Sequence, residues 1–156
     1  APEGDKSPVM KKVTVKYKTD SPPTVPFSVE IGGTGDKYII LKWKRNVETD
    51  FGGYKIYYGT KKGKYDGIIS IVNGRKINNQ MADGNYVTVK IDNGVIEENR
   101  NYDSRNVLVY PSIENTVLYY FSVTSYDTYK EKTVYNHESE LSSPIQARPY
   151  AGSDIR

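Results

Sequence analysis

Cysteine is absent from this chain, and histidine and tryptophan occur once each, at His137 and Trp43. Without cysteine there is no thiolate to act as a nucleophile or to bind zinc. No apolar run approaches the ~20 residues that a membrane-spanning helix requires. These absences exclude cysteine catalysis and zinc–thiolate sites, and they predict no membrane span.

Strong charge of one sign is also lacking. The formal net charge of +3 is too small to indicate nucleic-acid binding, which needs lysine and arginine concentrated on one face with aromatics between them. Residues 1–65 nevertheless carry 13 Lys/Arg against 7 Asp/Glu, and residues 66–156 carry 9 against 12. This asymmetry would favour head-to-tail docking of subunits or domains, although solvated charge scattered over strand faces is the simpler interpretation.

The residues that are present favour β-structure. The 15 tyrosines, together with many β-branched residues, are strand formers, and 13 glycines and 8 prolines supply turns. Short segments in which apolar and polar residues alternate recur along the chain, typical of half-buried strands. We find no convincing helical stretch and interpret residues 97–106 as a polar loop. The predicted strands lie near 27–31, 39–43, 54–58, 68–72, 86–91, 107–109, 117–123 and 145–148.

Two Asn-Gly dipeptides follow predicted strands, and this pair is the strongest short signal of a two-residue hairpin turn. Asn73-Gly74 ends the segment 68–72, and Asn93-Gly94 separates Tyr86–Ile91 from Val95-Ile96. The sequence therefore predicts one or two hairpins between residues 70 and 112.

Several fragments, in order, resemble a fibronectin type III domain. The most specific is the family pattern of an apolar residue, a turn, then Tyr-x-Phe-x-Val and a small residue, which matches Ile113, Tyr119, Phe121, Val123 and Ser125. The other fragments are the proline-rich lead 22–26, the run Ile39-x-Leu41-x-Trp43, the segment 53–60 and the Ser-Glu-x-Ser-like stretch 138–142. The resemblance implies that Trp43 fills the core and that Tyr119 is the corner tyrosine, whose hydroxyl bonds to backbone.

The predicted fold class is therefore all-β, an immunoglobulin-like two-sheet β-sandwich of the fibronectin type III kind. The chain exceeds the usual size of that domain, so we expect inserted hairpins and an extra N-terminal strand. We expect residues 1–21 to form a tail with one added strand, residues 22–150 the sandwich, and residues 151–156 a C-terminal tail.

Motifs for chemistry are weak. His137 lies in a polar stretch without a nucleophile-elbow pattern, and the adjacent Glu97 and Glu98 would point to opposite faces of a strand. The segment 59–63 reads as a turn rather than a phosphate loop, and no calcium-loop spacing occurs. We predict a non-enzymatic protein without catalytic, cofactor or metal residues.

Two kinds of binding remain open. The alternating strand with Val13, Val15 and Tyr17 could add to a sheet edge of another subunit in a surface or fibre component, or pair within its own chain. Alternatively, exposed tyrosines could stack on sugars in an accessory carbohydrate-binding module; the candidates are Tyr57, Tyr126, Tyr129 and Tyr135. The expected partners are thus proteins, with polysaccharide as the alternative. The first residue, Ala1, and the absence of an Asn-x-Ser/Thr sequon favour a secreted or cell-surface protein of bacterial origin.

Overall fold

The computed structural model describes residues 23–46, 51–72, 86–101, 107–127 and 137–152. These residues form seven strands and one helix. In chain order they are β1 (Phe27–Gly35), β2 (Tyr38–Lys44), β3 (Phe51–Gly59), β4 (Gly67–Val72), β5 (Tyr86–Asp92), α1 (Asn93–Asn101), β6 (Tyr119–Asp127) and β7 (Ile145–Ala147).

The strands form two antiparallel sheets. One sheet has the order β1-β2-β5 and the other the order β4-β3-β6-β7. Buried and more exposed side chains alternate along β2 and β5, and the buried apolar residues of β3, β4 and β6 lie in register on one side of their sheet. The two apolar faces close on each other. This arrangement confirms the predicted all-β, two-sheet sandwich.

Aromatic side chains fill the space between the sheets. Trp43 on β2 is fully buried, and its ring meets that of Tyr54 on β3 edge to face, with centroids 5.0 Å apart. Tyr58 and Phe121 stack at 6.4 Å on neighbouring strands. The tryptophan predicted for the core therefore lies there.

Tyr119 makes the predicted corner. Its hydroxyl donates to the carbonyl of Ser112 at 2.8 Å and accepts from the N–H of Glu114 at 2.7 Å. The two bonds fix the chain as it enters β6, and burial raises the pKa of the phenol. The family pattern thus correctly identified both the residue and its role.

The turn before Tyr119 contains Asn115 and Thr116. Thr116 adopts a φ of 70°, a conformation that β-branched residues rarely take. Asn115 connects this turn to the β1–β2 turn, since its side chain accepts from the N–H of Lys37 and donates to Asp36. The turn is strained locally and held by these contacts.

The Asn93-Gly94 hairpin prediction is wrong, because this pair opens helix α1. Asp92 accepts a hydrogen bond from the N–H of Val95 at 3.0 Å, which caps the first turn. Val95, Ile96 and Asn99 are buried at helical spacing. Residues 97–101 therefore belong to the helix and not to the predicted polar loop, and Glu97 and Glu98 lie on α1 rather than on a strand.

Helix α1 packs against β4 and β5, the strands at one side of the two sheets. The side-chain oxygen of Asn99 accepts from the backbone N–H of Ser70 at 2.9 Å, and its amide donates to the carbonyl of Val95. Asn99 is buried, so a helix side chain covers part of an exposed strand edge.

Other local predictions had mixed outcomes. The segment 59–63 contributes to a turn, with Gly63 at a φ of 81°. Val107 and Val109 were predicted to lie on a strand but are exposed outside regular structure. The N–H of Val109 donates to the carbonyl of Asp66 at 3.0 Å, just before β4, instead of joining a strand ladder. The added N-terminal strand and the Asn73-Gly74 turn lie outside the described residues.

Candidate binding surface

Two of the four candidate sugar-stacking tyrosines lie on the same surface. Tyr57 on β3 and Tyr126 on β6 both point away from the core, on the outer face of the four-stranded sheet. Tyr57 points outward while Tyr54 and Tyr58 are buried, as strand alternation predicted. Tyr129 and Tyr135 lie outside the described residues, as do Val13, Val15 and Tyr17.

Glu138 organises this surface. Its carboxylate accepts hydrogen bonds from the hydroxyls of Tyr57 and Thr124, the latter at 2.7 Å, and lies 3.7 Å from the ammonium nitrogen of Lys55. Glu138 also pairs with Tyr126 through an isolated β-bridge beside β6. We call the outward residues around this carboxylate the tyrosine face; they are Lys55, Tyr57, Tyr65, Ser122, Thr124, Tyr126 and Glu138.

The phenol of Tyr57 is held in its protonated form. Burial raises its pKa above the ordinary value for tyrosine, and the hydrogen bond to Glu138 and the charge of that carboxylate raise it further. Tyr57 therefore donates its proton to Glu138 and is fixed in orientation. A fixed aromatic side chain loses little conformational entropy when it binds a partner.

The neighbouring rings are also held. Tyr65 meets Tyr57 edge to face with centroids 5.9 Å apart, and its hydroxyl lies 2.6 Å from that of Ser122. The ammonium of Lys55 lies over the ring of Tyr126, 5.6 Å from its centroid. A Cβ added to Gly53 would approach the Tyr126 hydroxyl to 2.7 Å, so this ring lies close over the backbone of β3.

Glu138, Lys55 and Tyr65 are not among the site residues predicted from the sequence. Glu138 is 81 positions from Tyr57, and only the sheet brings them together. Lys55 could have been found from the sequence, because it is two positions from Tyr57 on one strand and so points to the same face. The stretch 138–142, which carries Glu138, indicates from its sequence only the resemblance to the family's Ser-Glu-x-Ser pattern.

His137 has a structured environment rather than a purely solvated one. Its backbone N–H donates to Asp127 at 2.8 Å, and its Nδ1 lies 3.4 Å from the other carboxylate oxygen. A histidine oriented by a carboxylate forms two parts of a hydrolytic triad. In the described part of the chain, however, no hydroxyl is hydrogen-bonded to the imidazole, so the pair holds the chain beside β6.

Among the described residues, no group of three or more His, Asp or Glu is placed to hold a metal ion. The single described helix, α1, has nine residues, and it is neither long nor apolar enough to cross a bilayer.

No protein-family model and no curated protein sequence matches this chain. Solved structures do match. The FN1–FN3 domains of chicken CNTN1 align over 83% of this chain with a TM-score of 0.52 and 14% identity. This chain covers 33% of the chicken chain, so it spans about a third of that length. The similarity therefore concerns the fold.

Two further structures match with lower scores. The fibronectin type III domain of human fibronectin type III domain containing protein 3 aligns over 85% of this chain and 92% of its own, with 14% identity and a TM-score of 0.41. The spore cortex lytic enzyme SleM of Clostridium perfringens aligns over 81% of this chain and 28% of its own, with 16% identity and a TM-score of 0.44.

The sheet order, the corner tyrosine and the chicken structure together define the class of fold. The chain has a fibronectin type III-like sandwich, enlarged by helix α1 between β5 and β6. This fold commonly serves as a protein-interaction or structural module and is typically non-enzymatic, although the same fold hosts many unrelated functions.

Proposed function

We propose that the chain is a non-enzymatic extracellular module, structural or protein-binding, that works through the outer surfaces of its sandwich. The tyrosine face carries this proposal. Its central tyrosine is oriented by Glu138, and tyrosine is a residue that recognition surfaces favour. The filled core supports surface contact over ligand binding in a pocket.

Self-association is the form of binding that we propose first. We retain the domain division in which residues 1–21 precede the sandwich of 22–150 and 151–156 follow it. The strand with Val13, Val15 and Tyr17 would add to the edge of β1 in a second copy, giving a surface or fibre component. The support is indirect: on the opposite side of the sandwich, Asn99 already covers part of the β4 edge.

Light scattering over a range of protein concentrations tests this assembly. The full chain is compared with a variant lacking residues 1–21 and with the double variant Val13→Asp/Val15→Asp. We expect both variants to be smaller than the full chain, because an added strand needs its apolar side buried. An oligomer of unchanged size would contradict the role of the N-terminal strand.

The tyrosine face is tested separately with Tyr57→Ala/Tyr126→Ala. The matched control is Tyr38→Ala/Tyr86→Ala, which removes two half-buried tyrosines from the other sheet. If this face contacts a second copy, only the first pair of substitutions reduces association. Equal effects of the two pairs would mean that lost stability is the cause.

Carbohydrate binding is the alternative. It is supported by Tyr57 and Tyr126 sharing one face, but the ring of Tyr126 lies between the Gly53 backbone and the Lys55 ammonium. A sugar would have to displace that ammonium before stacking. Binding on a glycan array that is lost in Tyr57→Ala/Tyr126→Ala and kept in the control pair would favour this alternative over self-association.

A further inference from the structure

The outer face of the three-stranded sheet concentrates lysine and tyrosine. On β2, Tyr38, Lys42 and Lys44 point away from the core, and on β5, Tyr86 and Lys90 do the same. We call these five residues the lysine face. Ile40 and Thr88 lie among them, half-buried, and add a small uncharged centre. The residues come from two strands, and the register of β2 with β5 places them next to one another on one face.

Two of the three ammonium groups are held in place by aromatic rings. The nitrogen of Lys42 lies 4.8 Å from the ring centroid of Tyr86, and that of Lys90 lies 4.3 Å from the ring centroid of Tyr38. A Cβ added to Gly35 would lie 2.3 Å from the Tyr38 ring, so this ring lies against the sheet. Cation–π contacts of this kind fix a charge without neutralising it.

The lysines of this face form no ion pair with the acids that the structure describes. In the described part of the chain, none lies within ion-pair distance of Lys42, Lys44 or Lys90. The nearest acids by register are Glu30, exposed on β1 opposite Lys42, and Asp92, which accepts from the helix N–H of Val95. The face therefore keeps an excess of positive charge.

The tyrosine face provides an internal comparison. There Lys55 also lies over a tyrosine ring, but its ammonium is paired with Glu138 at 3.7 Å. Among the described residues, the four-stranded sheet thus pairs its outward lysine with a carboxylate, whereas Lys42, Lys44 and Lys90 have none within ion-pair distance. Unpaired charge of one sign on one surface attracts a partner of the opposite sign.

We propose that the lysine face binds an acidic protein segment in which aspartate or glutamate alternates with other residues. Lys42 and Lys44 are two positions apart on one strand, which separates their Cα atoms by about 6.7 Å. Carboxylates at alternate positions of an extended segment have the same spacing. The segment would lie along β2, with Lys90 binding a carboxylate at the side and Ile40 in contact with its uncharged residues.

A peptide fits these contacts better than the other polyanions do. Nucleic-acid bases and sugars stack on aromatic rings whose faces are open. The rings of Tyr38 and Tyr86 are already in cation–π contact with the ammonium groups of Lys90 and Lys42. Each lysine ammonium acts as a point charge, which suits a single carboxylate. The five residues of the lysine face include no arginine, the residue that binds phosphate in a bidentate manner. This inference rests on the chain being a binding module, but it concerns a different sheet from the tyrosine face.

The test measures binding of a fluorescent peptide of alternating glutamate and threonine to the full chain by anisotropy at low ionic strength. The triple variant Lys42→Gln/Lys44→Gln/Lys90→Gln should weaken binding by about tenfold, because each exposed ion pair contributes modestly. The matched control Lys61→Gln/Lys62→Gln/Lys64→Gln removes three exposed lysines from the β3–β4 turn and should change binding by less than about twofold.

Four results would overturn the proposal. They are no binding of the peptide, equal loss in the control variant, equal binding of a peptide with its glutamates in one block, and tighter binding of polygalacturonate or a single-stranded oligonucleotide through the same lysines. Amide shifts of the unmodified chain on adding peptide provide a check that needs no variant, and they should centre on Lys42, Thr88 and Lys90. Failure here leaves the comparison of Tyr57→Ala/Tyr126→Ala with the full chain unaffected, since Tyr57 and Tyr126 lie on the other sheet. Only the control pair, Tyr38 and Tyr86, belongs to the lysine face.

Discussion

The side-chain oxygen of Asn99 lies 2.9 Å from the backbone nitrogen of Ser70 and accepts its N–H, as a carbonyl of a neighbouring strand would. Ser70 belongs to the edge strand β4, whose outward backbone groups would otherwise be open to pairing with another chain. Helix α1, the addition that enlarges this sandwich, therefore protects one of its edges. If the proposed strand addition occurs, this protection would leave the opposite side, where β1 lies, as its edge.

Replacing Asn99 by alanine should destabilise the protein by about 1–3 kcal/mol, because it leaves the N–H of Ser70 without its buried partner. Asn101→Ala is the control, since Asn101 is an exposed residue of the same helix. Urea unfolding gives the loss of stability, and hydrogen exchange should show faster exchange at Ser70 in Asn99→Ala only. Unchanged exchange at Ser70 would mean that Asn99 does not protect the edge.

Tyr119→Phe should cost about 1–3 kcal/mol of unfolding free energy, because the carbonyl of Ser112 and the N–H of Glu114 both lose their partner. The ring stays, so packing changes little. Tyr120→Phe is the matched control, since Tyr120 is the next residue on β6 and points to the other face. Equal losses from the two substitutions in urea unfolding would contradict the corner role of Tyr119.

Thr116→Gly should stabilise the protein by about 0.5–1 kcal/mol. Thr116 has a φ of 70°, a backbone conformation that is strained for a β-branched residue and unstrained for glycine. Glycine also raises the conformational entropy of the unfolded chain, which offsets part of the gain in stability. Thr116→Ala keeps a Cβ in the same conformation and should give a smaller gain. Thermal unfolding separates the variants, and an alanine variant as stable as the glycine variant would argue against backbone strain.

Stability should fall as the pH rises above about 10, the ordinary pKa of tyrosine. Burial raises the folded-state pKa of Tyr57, Tyr58 and Tyr119 above that value, so above it the unfolded chain binds fewer protons than the folded one. The free energy of unfolding therefore decreases with pH. Tyr57→Phe should reduce this decrease in alkaline urea titrations. The exposed Tyr150→Phe is the control, and an equal reduction there would contradict the assignment to Tyr57.

Much of the fold could be predicted from local patterns. Alternation placed Trp43 in the core and Tyr57 on the outside because side chains of a strand point to its two faces in turn. The spacing from Ile113 to Tyr119 identified the corner. Asn93-Gly94 led to a wrong prediction of a hairpin. The dipeptide follows Asp92, whose side chain caps helix α1, and the dipeptide alone does not distinguish a hairpin turn from the start of a helix.

By itself the sequence determined the two-sheet sandwich, its core tryptophan and its corner tyrosine, since these depend on periodicity and on short spacings. Only the tertiary structure decided which residues share a surface. Glu138 reaches Tyr57 across 81 positions, and Lys90 reaches Tyr38 through the pairing of β2 with β5. A net charge of +3 concealed three lysines on one face, because charge along a chain says nothing about which sides of a sheet the residues occupy.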